Sequence, residues 1–139
     1  MIERLLLAAV LLAAAVAVAW FLERRRKARG YEAPTQPTGF TLPGQLDRHD
    51  FRLPECPQLV VVFTSATCDT CAETVIKAKA LEGPSVAYEE VPWQSRRDLH
   101  DRYGIEVVPA TLIADAQGVV TASFIGRPPA TDLWNALGS

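Results

Sequence analysis

The feature that most constrains the fold of this chain is an apolar run that ends at two cysteines. Residues 60–64 read Val-Val-Val-Phe-Thr, and small polar residues lead from there to Cys68 and Cys71. A short β-branched and aromatic run bounded by turn residues is typical of a buried strand. The sequence therefore predicts a strand, a short loop and a helix, with both cysteines near the start of the helix.

This placement of the cysteines favours thiolate chemistry. The free N–H groups and the positive dipole end of a helix stabilise a thiolate, so Cys68 is predicted to be a nucleophile near neutral pH. Cys71, one turn further on, can attack the mixed disulfide that Cys68 forms. Zinc sites use the same spacing but need about four ligands, and the chain adds only Cys56, His49 and His100. A redox pair is the preferred interpretation, with metal binding or a structural pair as alternatives.

The strand, the C-x-x-C pair and the helix together resemble the active-site segment of the thioredoxin family. Residues 103–112 read Tyr-Gly-Ile-Glu-Val-Val-Pro-Ala-Thr-Leu and are similar to the family's segment around its cis-proline, and Gly126 matches a late glycine of the family. The resemblance covers about residues 50–137. It implies a thioredoxin-like α/β fold, in which a mixed sheet is flanked by helices, and it implies thiol–disulfide exchange.

The resemblance also implies roles for individual residues. Cys68 and Cys71 would be the catalytic pair, Pro109 would be cis beside them, and Val108 would offer its backbone to an extended substrate segment. The chain departs from the family in four places: Thr67 stands at the usual tryptophan, Asp69-Thr70 at the usual Gly-Pro, Val62 at the buried aspartate and Glu90 at its partner lysine.

Three further residues are candidates for tuning the pair. The carboxylate of Asp69 lies beside Cys68 and opposes its thiolate, although Asp69 or Thr70 could instead cap the helix. Residues 85–91 are predicted to be a central strand of the sheet. Glu90 in this strand handles the proton of Cys71 if it faces the interior, and otherwise it reaches solvent. Trp93 either covers the dithiol or packs on the surface. Cys56 precedes the strand, whose length puts it roughly 20 Å from the cysteine pair, and it is predicted to be an inert thiol or to form an intermolecular disulfide.

The distribution of charge separates the chain into two parts. Six of the 14 Lys and Arg residues lie in residues 1–29, which leaves eight against fourteen acidic residues in the remainder. An acidic domain is not expected to bind nucleic acid, which needs a basic face. Three cysteines do not make a disulfide framework. No cofactor and no resident metal are predicted.

Residues 5–22 are uncharged and apolar. A helix of this length spans about 27 Å, which is close to the hydrocarbon thickness of a bilayer. Trp20 lies near one end, as expected of an interfacial aromatic. The prediction is a single-pass anchor; the alternatives are a cleaved signal peptide, since Ala17-Val18-Ala19 has the A-x-A form, and a buried soluble helix. The basic residues at 24–29 predict a cytoplasmic folded domain, with an extracytoplasmic domain as the alternative.

The predicted organisation has three parts: an anchor with a basic flank (residues 1–29), a mobile Pro/Thr/Gly linker (30–43) and a thioredoxin-like domain (44–139). Within the domain, residues 44–51 are predicted to hold a first strand, and residues 69–81 a helix. His100 is predicted to be exposed. The predicted activity is exchange with a protein or small-molecule disulfide or dithiol and with a separate electron donor or acceptor. The rival functions are Cu(I) or zinc handling by the cysteine pair and a non-catalytic docking module.

Overall fold

A computed structural model describes residues 1–28 and 39–138 of the chain. They belong to two compact units, Met1–Glu32 and Ala33–Gly138. Most of the predicted linker, residues 30–38, and the last residue of the predicted basic flank, Arg29, lie outside the described residues.

The first unit contains one long helix. Helix α1 runs over Ile2–Ala28, and its segment Ile2–Phe21 has a mean hydropathy of 2.3. By length and composition this segment can cross a membrane, although a signal sequence meets the same criterion. The predicted helix is confirmed, and its place in a membrane remains a proposal.

The second unit alternates strands and helices, as the strand–loop–helix pattern predicted. Its elements are β1 (Gln58–Thr64), α2 (Cys71–Lys79), β2 (Val86–Pro92), α3 (Arg97–Tyr103), β3 (Ala110–Asp115), β4 (Val120–Ile125) and α4 (Ala130–Leu137). The four strands form one mixed sheet in the order β2-β1-β3-β4. Strand β1 is parallel to β2 and antiparallel to β3, and β3 is antiparallel to β4.

The register of the sheet brings three chain segments together at one end of its strands, which we call the active edge. Thr64 pairs with Pro92, and Phe63 pairs with Ala110. The loop after β1, the turn after β2 and the proline before β3 therefore lie together. Residues 59–63 of β1 are fully buried, so the strand that leads to the cysteines is held by packing on both of its faces. This arrangement makes the edge a rigid frame for the site.

Strand β2 is at the edge of the sheet, so its predicted central position is wrong. Within residues 39–138, no strand pairs with its outer side. Edge strands commonly carry charges and proline, because these discourage pairing with another chain. Glu89, Glu90 and Pro92 are such residues, and the edge position explains why two glutamates occur in this strand.

The strand predicted within residues 44–51 is also absent. A short 3-10 helix, Arg48–Asp50, occupies its place, and one bridge joins Gln45 to Val119. The side chain of Asp47 accepts a hydrogen bond from the His49 N–H at 3.0 Å. Short polar side chains of this kind bond to the local backbone and compete with a strand ladder. The polar residues at 47–50 therefore form a turn that covers the core through Leu46 and Phe51.

A buried arginine holds this turn to the rest of the unit. Arg48 is 4% exposed, and its guanidinium donates to the carbonyls of Cys56 (2.9 Å), Asp115 (2.8 Å) and Leu53 (3.1 Å). Leu53 itself has a positive φ of 51°, a region that a leucine rarely adopts. The sequence does not indicate this role, because arginine is mostly a surface residue.

Helix α3 packs against the same face of the sheet. The Tyr103 hydroxyl donates to Asp50 at 2.5 Å and accepts from the Asp47 N–H at 3.0 Å. Burial, followed by the hydrogen bond to Asp50, raises the pKa of Tyr103 to about 12, so the hydroxyl stays neutral near pH 7. His100 is buried, not exposed as predicted: its Nε2 lies 2.8 Å from the Val91 carbonyl oxygen, and its ring packs on Phe63. A helix face turned to the core buried this polar ring.

Candidate redox site

The two cysteines of the C-x-x-C pair are joined in a disulfide, with their Cα atoms 5.5 Å apart. Cys68 is half-buried, whereas Cys71 is 5% exposed. The outer cysteine is thus the accessible one and the inner cysteine is shielded. An accessible first sulfur and a covered second sulfur suit attack on a substrate followed by internal resolution.

Helix α2 begins at Cys71, two residues later than predicted. Asp69 and Thr70 form a turn, and Thr70 holds the N-cap position without a side-chain capping bond. Thr70 Oγ1 instead lies 3.7 Å from Cys68 Sγ. Asp and Thr favour turns over helix interiors, which explains the late start. Because Cys68 Sγ is bonded to Cys71, it still lies at the positive end of the helix.

The loop between β1 and Cys68 contacts the turn that follows β2. The Trp93 N–H donates to the Thr64 carbonyl at 2.8 Å. The side chain of Gln94 accepts from the Ala66 N–H at 3.1 Å and donates to Ser65 Oγ at 3.4 Å. The sequence does not indicate this role of Gln94, because its partners lie in the loop after another strand, far along the chain.

Trp93 is exposed over 41% of its surface. Its ring stacks against the guanidinium of Arg97, whose Cζ lies 4.9 Å from the ring centroid. A cation over an indole face is a favourable contact at a surface. Of the two interpretations of Trp93, this geometry agrees with the packed surface residue, at the same edge of the sheet as the cysteines.

Glu90 does not face the interior, so this condition for proton handling is not met. Its side chain is exposed, and its carboxylate accepts a hydrogen bond from Thr64 Oγ1 at 2.7 Å. The edge position of β2 leaves room for the carboxylate to reach solvent. Glu90 nevertheless pairs in register with Val62, and its partner Thr64 is 3% exposed. The carboxylate thus meets a buried hydroxyl at the end of β1.

The Val108–Pro109 peptide bond is cis, which is the isomer that the resemblance implied. Pro109 is buried, and Val108 is half-buried against the core. The Gly126 N–H donates to the Pro109 carbonyl at 2.9 Å, and Gly126 has a φ of +84°. A residue with a side chain would be strained in this conformation. The late glycine therefore supports the proline segment directly.

A charged cluster links helix α2 to the chain after β4. Glu73 accepts from Lys77 Nζ at 2.6 Å and from Arg127 Nη1 at 3.3 Å. These contacts, the Lys77 hydrogen bond first, lower the pKa of Glu73. Lys77 also approaches the Pro128 carbonyl at 3.5 Å. The cluster lies on the surface, so each ion pair contributes little to stability, but together they connect the cysteine helix with the segment that begins at Gly126.

Cys56 is a free thiol and is 9% exposed. Its Sγ lies 4.0 Å from the Pro84 carbonyl oxygen. Within residues 1–28 and 39–138, no three His, Cys, Asp or Glu side chains cluster in a way that could hold a metal ion. The cysteine pair alone would offer two sulfur ligands.

No protein-family model matches the chain, and no curated protein is similar to it in sequence. Solved structures do match. Thioredoxin of Fasciola hepatica is 22% identical, with a TM-score of 0.53 over 61% of this chain and 82% of its own. The germline-specific thioredoxin Deadhead of Drosophila melanogaster is 20% identical, with a TM-score of 0.53 over 61% and 82%. Mitochondrial thioredoxin 3 of Saccharomyces cerevisiae is 18% identical, with a TM-score of 0.51 over 62% and 82%. The fold is thioredoxin-like.

Proposed function

We propose that this chain is a membrane-anchored thiol–disulfide oxidoreductase whose redox centre is the Cys68–Cys71 pair. The observation that carries the proposal is the position of the pair: an accessible sulfur and a shielded sulfur, bonded together at the start of α2. The cis Val108–Pro109 bond lies at the same edge of the sheet. The substrate is a protein or small-molecule disulfide or dithiol, and a separate donor or acceptor resets the pair.

In the reducing direction, the Cys68 thiolate attacks one sulfur of a substrate disulfide. A Cys68–substrate bond forms, the substrate S–S bond breaks, and the departing thiolate takes a proton from water. The Cys71 thiol then loses its proton to solvent and attacks the Cys68 sulfur, which closes the internal disulfide and releases the second substrate thiolate. Two electrons pass from the cysteine pair to the substrate. Oxidation of a dithiol uses the same steps in reverse.

Val108 and Pro109 form the proposed docking site for an extended substrate segment. Pro109 has no N–H and its carbonyl accepts from Gly126, so the backbone of the half-buried Val108 is the group proposed to pair with the substrate. Backbone pairing recognises chain shape more than sequence, and side-chain pockets add specificity. We therefore propose that the immediate surroundings of Cys68 select the substrate.

The proposed anchor is residues 5–22 of helix α1, and the proposed location of the folded domain is the cytoplasm. The apolar length of α1 and the basic residues that follow it support this orientation. A reporter fused after Ser139 tests it: activity only in the cytoplasm is expected. Activity only outside would assign the domain to the extracytoplasmic side, and release of the chain by carbonate washing would contradict the anchor.

The reduction potential of the pair tests the proposed activity. We expect the full chain in detergent to form the Cys68–Cys71 disulfide reversibly in thiol redox buffers. A potential near about −270 mV would indicate a reductant, and one near about −120 mV an oxidant and an extracytoplasmic domain. A pair that never closes into an internal disulfide would overturn the oxidoreductase proposal.

We propose that Asp69 tunes the pair, whereas Glu90 reaches solvent and Trp93 packs on Arg97. Because a carboxylate beside Cys68 disfavours its thiolate, we expect Asp69→Asn to stabilise the reduced state and raise the potential by roughly 10–30 mV. The measurement is equilibration in the same thiol buffers. Asp132→Asn in helix α4 is the matched control, with no expected change. An unchanged or lowered potential in Asp69→Asn would show that Asp69 does not tune the pair in the proposed way.

A further inference from the structure

We infer that Gln94 is a positioning residue that controls the reactivity of Cys68 by bracing residues 65–67, the loop that carries it. This inference rests on the proposed function, because it concerns the sulfur proposed to attack the substrate. Gln94 lies outside the C-x-x-C motif and contacts the loop from the end of a neighbouring strand. Its role is indirect, through the loop backbone.

The side-chain amide of Gln94 uses both of its ends on the loop. Its oxygen accepts the Ala66 N–H at 3.1 Å, and its nitrogen donates to Ser65 Oγ at 3.4 Å. A hydrocarbon side chain could make neither bond, and a carboxylate could accept from the loop but could not donate to Ser65 Oγ. The amide therefore matches one donor and one acceptor of the loop.

The loop passes this constraint on to Cys68. Ser65 Oγ also accepts the Thr67 N–H at 3.4 Å and lies 3.2 Å from Thr67 Oγ1. The Cys68 N–H donates to the Ser65 carbonyl at 3.1 Å. Ser65 is thus hydrogen-bonded both to Gln94 and to Thr67 and Cys68. These bonds matter because residues 65–68 belong to neither the strand nor the helix.

The turn that contains Gln94 is fixed by backbone hydrogen bonds. The Trp93 N–H bonds to the Thr64 carbonyl at 2.8 Å, and the Arg96 N–H bonds to the Pro92 carbonyl at 2.8 Å. Strand β2 is in turn parallel to β1 and in register at Thr64 and Pro92. Gln94 can restrict the loop only if its own backbone is fixed, and the turn that contains it is hydrogen-bonded to the ends of β1 and β2.

A braced loop keeps the Cys68 sulfur at the start of α2 after the disulfide has opened. The helix end stabilises a thiolate only within about the first turn, and Thr70 Oγ1 stands 3.7 Å from the sulfur. Without Gln94 the loop gains conformations in which the sulfur leaves this position. The fraction of thiolate at neutral pH then falls.

The test is the pH profile of Cys68 alkylation by iodoacetamide in the reduced full chain, followed at that cysteine by mass spectrometry. We expect Gln94→Met to raise the midpoint of the profile by roughly 0.5 to 1 pH unit, which is equivalent to the loss of one modest hydrogen bond. Ser65→Ala should produce a similar shift, and the double variant should shift the midpoint by less than the sum of the two, because both single variants remove the Gln94–Ser65 hydrogen bond. Gln117→Met, an exposed residue of the β3–β4 turn, is the matched control and should leave the midpoint unchanged.

A merely structural role for Gln94 predicts a lower urea midpoint with no change in the Cys68 profile, and that result would overturn the inference. Fully additive shifts in the double variant would also contradict it. The alkylation profile needs no turnover, whereas the proposed function is tested by reversible disulfide formation in the wild-type chain. An unchanged profile in a chain that forms its disulfide reversibly would therefore remove the brace and leave the function intact.

Discussion

Replacement of Cys68 by serine is expected to reduce disulfide exchange by more than about a thousandfold, because a hydroxyl is a far weaker nucleophile than a thiolate. Cys71→Ser is expected to act differently: Cys68 still attacks, but the mixed disulfide is not resolved and accumulates. Reduction of an insulin-type protein disulfide measures the first effect, and non-reducing electrophoresis measures the second. The difference follows from exposure, since Cys68 is half-buried and Cys71 is covered.

The third cysteine provides the control for this pair of variants. Cys56 is free and buried, and it lies at the opposite end of β1 from the loop that carries Cys68. We therefore expect Cys56→Ala to retain exchange within about twofold of the wild type. Full activity in Cys68→Ser would refute the assigned roles. Stoichiometric Cu(I) or zinc binding that disappears in both Cys68→Ser and Cys71→Ser, without exchange in the wild type, would favour the metal-handling alternative.

The largest effect on stability is expected at Arg48. Arg48→Met removes a buried guanidinium and its three hydrogen bonds to carbonyl groups, and the Cys56 carbonyl loses this donor. The carbonyls of Leu53 and Asp115 keep one bond each, from the N–H groups of Cys56 and Gly118. We expect a loss of about 2–4 kcal/mol in the free energy of unfolding, because three hydrogen bonds from a buried charged donor are lost together. Leu53, with its positive φ, adds to the effect, since its conformation depends on the contacts of this loop.

The matched control is Arg127→Met, which makes the same change at an exposed arginine paired with Glu73. A surface ion pair contributes at most about 1 kcal/mol, so this variant should unfold close to the wild type. Urea unfolding measures the free energy of unfolding of both variants, and an unchanged m-value shows that the change is one of stability. Equal losses in the two variants would show that the buried hydrogen bonds of Arg48 are not what stabilises the turn. Cysteine chemistry should persist in folded Arg48→Met, because the arginine lies far from the active edge along β1.

Much of the redox site was predictable because its signals are local. The apolar run of residues 60–64, the C-x-x-C spacing and the segment before Pro109 each predict their structure within a few residues of chain. The start of α2 was misplaced by two residues because Asp69 and Thr70 favour a turn at the helix boundary.

What only the tertiary structure decided depends on partners distant in sequence. The edge position of β2 results from strand pairing, which turned Glu90 to solvent. The burial of Arg48 and His100 results from carbonyl groups and rings supplied by other elements, and the contacts of Gln94 result from the register of β1 and β2. The sequence by itself determined the reactive pair and the elements around it, because side-chain periodicity and turn chemistry act over a few residues. Tertiary packing decided which groups hold that pair in place, because hydrogen bonds and burial join residues that the chain separates.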